Sequence, residues 1–455
     1  MFLWGFYVGA LKNLKAADPE IFKAVKNELK RQRNSLVMIP SENYASANVL
    51  NVLGTVLNNK YSEGYPNKRY YAGNEFADIV ESAAIERAKR LFKVPHANVQ
   101  PYSGSTANFA VYVALCKPGD PIMGQNLTDG GHLTHGWKVN VTGEFFKSIP
   151  YHVKSDGYID MNEVRDLAMQ NRPKLIWIGA TAYVREFPFE EFSRIADECG
   201  AYLVADISHI AGLVAANVHK SPVDYVHIVT TTTHKTIRGP RGAMIMVTEK
   251  GLQKDPQLAE KIDRAIFPGI QGGPHENAIA AIAVALLEAS KPEFADYGAQ
   301  IVRNSKALAS ALIENGIRLV TNGTDNHMIL IDLTPFGKGN GVFAQEALEA
   351  AGIAVNKNTI PNEPASPFYP SGIRIGTPAV TSRGMKEEQM KIIAGLMADV
   401  IKEVKHYSIP DEKEKRQEYM KRFYKEIKPN KVIKQTREKV LELCNAFPLY
   451  KEIKL

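Results

Sequence analysis

The sequence predicts an α/β protein, in which a large domain has a mostly parallel sheet between helices and a smaller α+β domain follows. Four apolar runs, at residues 174–180, 201–207, 226–230 and 243–247, are continuous rather than alternating, which is typical of strands buried on both faces. A helical spacing closed by Gly200 separates the first two runs, so the local order is strand, helix, strand. From about residue 290, helix patterns and a strand candidate at 327–333 indicate the smaller unit.

The composition limits the function classes. The chain has 455 residues, 45% of them hydrophobic, which is enough for two or three domains with buried cores. The formal net charge is +7, and residues 405–455 alone contribute +6, from 14 basic and 8 acidic side chains. The rest of the chain is nearly neutral, which argues against a main body that reads nucleic acid. RNA binding is open for the tail, as an addition to another function.

We expect four segments along the chain. They are an N-terminal arm and helix (1–37), a large domain (38–290), a small domain (291–404) and a basic, helical extension (405–455) that is either a solvated helix or a binding arm. The apolar opening at 1–11 is shorter than the roughly 20 residues of a membrane span, so we expect an arm that packs on protein, with an interfacial anchor as the alternative.

Two surface helices are predicted from apolar spacing. One covers residues 19–34. The other covers residues 78–92, where Ile79, Ala83, Ala84, Ala88 and Leu91 are expected to form the apolar face.

Lys235 is the first candidate catalytic residue. It lies just after a buried strand, follows His234 and precedes a Gly-Pro-Arg-Gly turn. A lysine partly withdrawn from water near other cations loses its proton more easily, as an amine that forms a Schiff base requires. The alternative is a surface lysine after a strand.

Asp206 ends the apolar run at 201–207. In open α/β sheets, ligands bind beyond the carboxyl ends of the strands. A carboxylate at that place suits the protonated pyridine nitrogen of pyridoxal phosphate, with Lys235 on the same cofactor. The alternative for Asp206 is the N-cap of a helix.

Two turns are candidates for phosphate binding. Ser103, Gly104 and Ser105 precede an apolar helical stretch, and backbone N–H groups at such a helix start bind phosphate. The segment 267–274 contains Gly272 and Gly273 and is a second glycine-rich turn. An ordinary cap or turn is the alternative for both.

His132 and His135 lie three residues apart, a spacing that invites a metal site. We expect no metal, because no third ligand stands nearby in the sequence at a workable spacing. His132 can instead lie flat on an aromatic cofactor ring, with a structural histidine as the alternative. The three cysteines lie far apart, which argues against disulfides and a thiolate zinc site and favours a reducing, cytoplasmic compartment.

Residues 61–75 are rich in tyrosines and turn formers, and contain Tyr61, Glu63 and Tyr71. This segment is either a polar active-site wall, with Glu63 as proton donor or acceptor, or an interface loop. Arg374 stands between apolar residues, where its guanidinium needs an anion such as a substrate carboxylate or, alternatively, a structural salt-bridge partner.

Together these segments resemble the serine hydroxymethyltransferase family of fold-type I pyridoxal phosphate enzymes. The resemblance covers roughly residues 20–404 and rests on nine segments in the family's order: SENYAS, YSEGYPNKRYYAGNE, NVQPYSGSTANFAVY, GGHLTHG, DISHIAGLVAA, TTTTHKTIRGPRG, FPGIQGGPH, AGIAVNKNTIP and SGIRIGTPAVTSRG.

The resemblance implies a role for each candidate. Lys235 would form the internal aldimine, Asp206 would hold the pyridine nitrogen, and His132 would stack on the ring. The remaining implied cofactor residues are Ser103, Gly104 and Ser105 at the phosphate, Thr181 at the phenolic oxygen, His209 beside the cofactor, and Gly272, Gly273 and Tyr61 from the adjacent subunit. The remaining implied catalytic and substrate residues are Glu63, which also crosses the dimer interface, His234, Ser41 and Arg374 at the serine carboxylate, and Tyr71 in the site wall.

The implied reaction is reversible. The external aldimine of L-serine would pass its hydroxymethyl carbon to a tetrahydropterin such as tetrahydrofolate, by way of a quinonoid, and leave glycine, while Glu63 manages the proton at the departing hydroxyl. The active unit would be a homodimer with shared sites, or a tetramer. A pyridoxal phosphate aldolase that acts on β-hydroxy amino acids without a pterin is the alternative enzyme.

Four places depart from the family's pattern. Asn67 stands where glycine is usual, Thr181 where serine is usual, Ser208 where alanine is usual, and Trp137-Lys138 is an unusual continuation of GGHLTHG. None of these changes removes a catalytic group, although we expect Asn67 to affect its loop.

Overall fold

The computed structural model describes residues 13–451 and 453. They divide into two compact units. We call Tyr44–Ala299 the central unit, and we call the residues up to Asn43 and from Gln300 onward the terminal unit. The division into four segments stays a prediction, and the apolar opening at 1–11 lies outside the described residues.

The elements are numbered along the chain. The strands are β1 (Leu36–Val37), β2 (Gly64–Tyr65), β3 (Lys68–Arg69), β4 (His96–Asn98), β5 (Pro121–Gln125), β6 (Lys147–Tyr151), β7 (Leu175–Ile178), β8 (Tyr202–Asp206), β9 (Ile228–Thr232), β10 (Ala243–Val247), β11 (Met328–Asp332), β12 (Ile353–Ala354), β13 (Asn356–Asn358) and β14 (Gly372–Gly376). The helices from Pro19 onward are α1 (Pro19–Arg33), α2 (Ala47–Leu53), α3 (Glu75–Phe92), α4 (Gly104–Leu115), α5 (Val141–Phe145), α6 (Met161–Asn171), α7 (Phe189–Cys199), α8 (Ala211–Ala215), α9 (Glu249–Lys254), α10 (Leu258–Arg264), α11 (Glu276–Ala289), α12 (Pro292–Glu314), α13 (Asn340–Ala350), α14 (Pro378–Ser382), α15 (Glu387–Glu403), α16 (Lys413–Ile427) and α17 (Lys431–Ala446).

The central unit is built on a seven-stranded sheet with the order β4-β10-β9-β8-β7-β5-β6. The five strands from β9 to β6 run parallel, and β10 runs antiparallel between β9 and β4. The four apolar runs form β7, β8, β9 and β10, so the prediction of a mostly parallel sheet is confirmed.

The strands are continuously apolar because both faces of the sheet are covered. Ile176 and Leu203 belong to the apolar cluster on one face, whereas Leu175 and Trp177 belong to the cluster on the other. Successive side chains of a strand point to opposite faces, so with both faces covered most positions of these strands are apolar.

The hairpin of β2 and β3 carries the segment with Glu63. Its turn has Pro66 followed by Asn67, and Asn67 has a φ of 63°, in the left-handed region. Asparagine tolerates this conformation better than most residues, and its backbone N–H donates to Asp78 Oδ2 at 2.9 Å. Asn67 therefore keeps the backbone conformation that a glycine would adopt there.

Helix α3 covers the predicted stretch at 78–92, but its inner face differs from the expected one. Ala84 and Ala88 are buried as expected, whereas Ile79 is 62% exposed and Glu81 is fully buried. The placement of Ile79 on the apolar face was wrong.

The terminal unit has its own antiparallel sheet, with the order β11-β14-β13, and a parallel pair of β1 and β12. Helices α16 and α17 form most of the basic extension. Their side chains Phe423, Ile433 and Val440 are buried in the same apolar cluster as Ile329 of β11 and Ile373 of β14. The extension therefore contributes to the core of this unit through one face of each helix. Among the described residues, no helix has the length and apolar character needed to cross a membrane.

Candidate active site

Candidate residues follow four neighbouring parallel strands of the central unit. His132 lies in the loop after β5, Thr181 after β7, Asp206 at the end of β8, and Lys235 three residues after β9. The carboxyl ends of parallel strands meet at one edge of a sheet, where ligands of open α/β folds bind. The sheet therefore gathers these four residues at one edge.

Asp206 is held as an anion. Its side chain is 9% exposed, and its Oδ2 accepts hydrogen bonds from Asn108 Nδ2 at 2.9 Å and His135 Nε2 at 3.3 Å. Its Oδ1 accepts from the backbone N–H of Ser208 at 3.0 Å. Burial alone would raise the pKa of Asp206, but the hydrogen bond and charge of His135, with His132 and Lys235 nearby, hold that pKa well below its usual range.

Sequence reasoning missed Asn108, and it considered His135 only as a metal ligand or a structural histidine. The His135 ring stacks on Trp177 with centroids 5.0 Å apart. Asn108 also donates to Thr134 Oγ1 at 2.8 Å and accepts from Thr230 Oγ1 at 2.8 Å. A signal for Asn108 was available, because it is a polar residue in an otherwise apolar part of α4.

The expectation that no third ligand lies near the two histidines was wrong. Ligand atoms of His132, His135 and Asp206 all lie within 4.8 Å of one another. The fold brings the end of β8, where Asp206 lies, close to the loop after β5, which contains the two histidines. Asp206 is itself the carboxylate expected to bind the cofactor nitrogen, and the two histidines lie beside it, so this cluster belongs to the candidate cofactor site.

His132 and His234 are both neutral at pH 7. Burial lowers the pKa of His132 to about 4, with the charges of His135 and Lys235 acting in the same direction. Burial also lowers the pKa of His234 to about 3, assisted by Arg241 and Lys235. These shifts show Lys235 close enough to both rings to act on them electrostatically.

The start of α4 has the form of a phosphate site. Ser103 is the N-cap, and its Oγ accepts from Thr106 N at 3.2 Å. Ser103 and Ser105 are exposed, and a Cβ atom at Gly104 would lie 2.7 Å from Thr232 Cγ2. Only glycine therefore allows α4 to begin this close to β9, and backbone N–H groups at a helix start attract anions.

Pyridoxal phosphate fits these residues. The helix start suits its phosphate, the ionised Asp206 suits a cationic ring nitrogen, and Lys235 supplies an amine. Two buried atoms, Thr232 Oγ1 and His234 Nδ1, have no hydrogen-bond partner among the described residues. Buried polar atoms are ordinarily paired, so these orphans beside α4 and Lys235 are consistent with a polar ligand.

Tyr61, Glu63, Gly272 and Gly273 form a second cluster in the central unit. A Cβ atom at Gly272 would lie 3.1 Å from Glu63 Oε1, and one at Gly273 would lie 3.4 Å from the Tyr61 ring. The Tyr61 hydroxyl is hydrogen-bonded to Glu63, whose charge raises the pKa of Tyr61. Tyr71 packs edge-on against Tyr61, with centroids 5.1 Å apart.

The other candidates are placed as follows. His209 is buried, and its carbonyl accepts from Thr236 Oγ1 at 3.1 Å. Thr181 donates its backbone N–H to Gly130 O at 2.7 Å. In the terminal unit, Ser41 lies half-buried in the turn after β1.

Arg374 is buried in β14 of the terminal unit, with 6% of its surface exposed. Its Nε donates to Asn356 Oδ1 at 3.1 Å, and burial lowers its pKa to about 10. It remains charged at neutral pH, so it is suited to bind an anion.

Comparisons with known proteins agree with this geometry. The family model described as Serine hydroxymethyltransferase matches residues 14–397. The chain is 56% identical over 391 residues to a serine hydroxymethyltransferase from Acidothermus cellulolyticus, which covers 86% of this chain and 90% of that protein. It is 55% identical over 398 residues to a serine hydroxymethyltransferase from Sorangium cellulosum, which covers 87% of this chain and 92% of that protein.

Proposed function

The chain belongs to the serine hydroxymethyltransferase family, and from this premise we propose which of its residues carry out the reaction. The enzyme is a fold-type I pyridoxal phosphate transferase that interconverts serine and glycine in one-carbon metabolism, with tetrahydrofolate as the co-substrate that accepts the hydroxymethyl carbon. The transferase is thereby favoured over the aldolase alternative, which uses no pterin.

Pyridoxal phosphate, when bound, supplies a protonated ring that withdraws electron density from the amino acid. The assignment of residues to it rests on one observation, the meeting of Asp206, His132 and Lys235 at one sheet edge. Asp206 keeps the ring nitrogen protonated because its own carboxylate stays ionised. Lys235 supplies the amine, and the neutral His132 packs against the ring without adding a second positive charge.

The remaining assignments follow the family resemblance. Ser103, Gly104 and Ser105 bind the phosphate, Thr181 faces the phenolic oxygen, and His209 and His234 lie beside the cofactor. Ser41 and Arg374 bind the serine carboxylate and Tyr71 lines the site. Glu63 holds or moves the proton at the departing hydroxyl, and the Tyr61 hydrogen bond orients its carboxylate.

The first experiment asks which lysine holds the cofactor. Borohydride reduction followed by peptide mapping should place the cofactor on Lys235, and Lys235→Ala should lose the absorbance of the bound cofactor. Lys254→Ala is the matched control. Lys254 lies in the same unit and donates to Gly200 O near the start of β8, whereas Asp206 is the last residue of β8. Label on any other lysine would overturn the assignment.

We also propose that the enzyme is a homodimer, alone or within a tetramer, in which Tyr61, Glu63, Gly272 and Gly273 serve the partner's cofactor. Large apolar side chains that flank Tyr61 and Glu63 in the sequence are exposed in the single chain, among them Val56 at 80%, Tyr70 at 75% and Phe76 at 69%. Exposed apolar patches of this kind mark protein interfaces.

A mixing experiment tests the shared site. Lys235→Ala chains are expected to be inactive, and Glu63→Gln chains are expected to cleave serine much more slowly than the parent. If sites are shared, a mixed dimer contains one site with both intact residues, so activity returns on mixing. If each site is formed by one chain, every site in the mixture has one defect and no activity returns.

We place the enzyme in the cytoplasm, which suits its three free cysteines. RNA binding by the basic extension is a separate proposal, and it rests on the net charge of +6 of residues 405–455. Deleting residues 405–455 would remove buried core residues such as Phe423, so it cannot test this idea. Replacing the exposed Lys421, Lys425 and Lys428 by Glu leaves the core intact, and unchanged RNA binding in low salt would argue against the role.

A further inference from the structure

A group of buried charges lies beneath the Tyr61–Glu63 cluster and takes no part in the residue roles assigned above. The Arg69 side chain is 4% exposed and contacts three carboxylates. Its Nη2 lies 2.6 Å from Glu81 Oε2 and 3.8 Å from Glu276 Oε1, and its Nε donates to Asp78 Oδ1 at 2.8 Å. Glu81 and Glu276 are 1% and 0% exposed. We call these four residues, with Ser62 and Gln100, the Arg69 network.

The Arg69 network fixes the backbone on both sides of Glu63. Arg69 Nη1 donates to the carbonyl of Ser62 at 2.7 Å and to the carbonyl of Gly64 at 3.0 Å. Gln100 Nε2 donates to the same Gly64 carbonyl at 2.9 Å and to Glu81 Oε1 at 2.7 Å. The carbonyls of the two residues that flank Glu63 are therefore held by donors that are themselves buried and paired.

The same network also holds the glycine turn that faces Glu63. The Ser62 hydroxyl donates to Glu276 Oε1 at 2.6 Å, and Glu276 is the first residue of α11, three residues after Gly273. Both chain segments that meet at Glu63 and Gly272 are thus anchored to one buried carboxylate. The link through Ser62 is a single hydrogen bond between adjacent layers of the structure.

Stability does not account for this arrangement. Burying an arginine with two carboxylates costs about as much desolvation free energy as the attraction returns, and apolar residues of similar size commonly do as well. The network instead fixes the orientation of the backbone at Glu63, because its donors bind the two carbonyls that flank this residue. Small displacements of a group that moves a proton are costly to a reaction.

We propose that Ser62 and Glu276, acting through the Arg69 network, are positioning residues that hold the Glu63 carboxylate at the Gly272–Gly273 turn in the geometry needed for proton transfer at the substrate hydroxyl. This inference rests on the proposed role of Glu63. It assigns a function to side chains that touch neither substrate nor cofactor.

The test is Ser62→Ala in the full-length holoenzyme. Serine cleavage should fall at least about tenfold in kcat, while the serine KM and the cofactor absorbance change by no more than about twofold. Exchange of the glycine α-hydrogen with deuterated solvent involves no hydroxyl group, so its rate should match the parent. Ser193→Ala is the matched control, because Ser193 is also buried in the central unit and its Oγ donates to a backbone carbonyl, that of Tyr225, at 2.8 Å.

A general structural role for Ser62 would lower serine cleavage and glycine exchange together, and that outcome would overturn the proposal. Unchanged cleavage in Ser62→Ala would overturn it as well. Glu63→Gln separates this failure from failure of the underlying role: if Glu63→Gln cleaves serine normally, the role of Glu63 is wrong, whereas a slow Glu63→Gln with a normal Ser62→Ala refutes only the positioning. In the double variant, the loss should equal that of Glu63→Gln alone.

Discussion

Replacing Arg383 by Met should strongly destabilise the terminal unit. The Arg383 guanidinium is buried just after α14 and uses all of its N–H groups on backbone carbonyls at the ends of two helices. It donates to Gln32 O, Arg33 O and Ser35 O at the end of α1 at 3.0–3.1 Å, and to Cys444 O and Phe447 O at the end of α17 at 3.0 and 2.9 Å. The last carbonyls of a helix have no intrahelical partner and carry the negative end of its dipole, so one cation satisfies both helices.

The magnitude follows from the number of carbonyls left without a donor. Methionine retains much of the arginine's packing but offers no N–H group. A buried polar group that loses its partner costs about 1–3 kcal/mol, and water can reach some of the five carbonyls. Counting only two of the five at about 1.5 kcal/mol each gives a loss of about 3 kcal/mol. Arg383→Lys keeps the charge and three donors, so we expect it to lose less than Met does.

The assay is hydrogen exchange of the holoenzyme, read at α1 and α17, together with thermal unfolding. Amides of both helices should lose protection in Arg383→Met while the amides of β8 in the central unit keep theirs. Serine binding should weaken, because α14 directly follows the strand that carries Arg374. If the amides of α1 and α17 exchange as in the parent protein, or if Arg383→Lys and Arg383→Met behave alike, the conclusion that Arg383 caps both helices is wrong.

Two further predictions concern the central unit. Gly104→Ala should weaken pyridoxal phosphate binding in a cofactor titration, because its Cβ would lie 2.7 Å from Thr232 Cγ2; Gly54→Ala, whose Cβ would meet only a carbonyl at 3.9 Å, is the control and should bind normally. The pH dependence of stability should have opposite signs for two groups. The pKa of His132 is about 4 in the folded state and 6.5 in the unfolded chain, so its contribution to folding stability is lost as pH falls through that range. The pKa of Glu81 is about 7 in the folded state and 4.5 in the unfolded chain, so its contribution to folding stability is lost as pH rises through that range. The free energy of unfolding, measured in urea from pH 4 to 8, should therefore depend less on pH at the acidic end in His132→Asn, and less between pH 4.5 and 7 in Glu81→Gln. Curves for variant and parent that run parallel would contradict these pKa shifts.

The sequence predicted the large sheet well, because burial on both faces leaves a direct mark on the residues of each strand. The apolar runs became β7 to β10 with boundaries shifted by only a few residues. The inner face of α3 was harder. Ile79 was expected on the apolar face but is exposed, whereas Glu81 is buried because Arg69 pairs with it from 12 residues away. Apolar periodicity cannot register a buried ion pair whose partner lies on another element.

The site shows the same limit. Asp206 and Lys235 could be picked out because each follows a buried strand, a feature that local sequence reveals. The contacts of Asn108 and His135 with Asp206 join positions 98 and 71 residues apart along the chain, so the polar residue in α4 could be noticed but its partner could not be predicted. The exclusion of a third ligand near His132 was mistaken for the same reason, because spacing along the chain does not show that Asp206, at the end of β8, lies close to the histidines.

Asp206 and Glu81 show how the central unit gives two buried carboxylates opposite properties. Desolvation raises the pKa of each. Asp206 receives hydrogen bonds from Asn108 and His135 and has further cationic groups nearby, so its pKa falls and it stays ionised. Glu81 shares the single guanidinium of Arg69 with other carboxylates, and its pKa rises to about 7. Each carboxylate accepts two side-chain hydrogen bonds, those of Glu81 coming from Arg69 and Gln100. The cations near Asp206, and the carboxylate of Glu276 near Glu81, therefore decide which one is suited to a cationic ring.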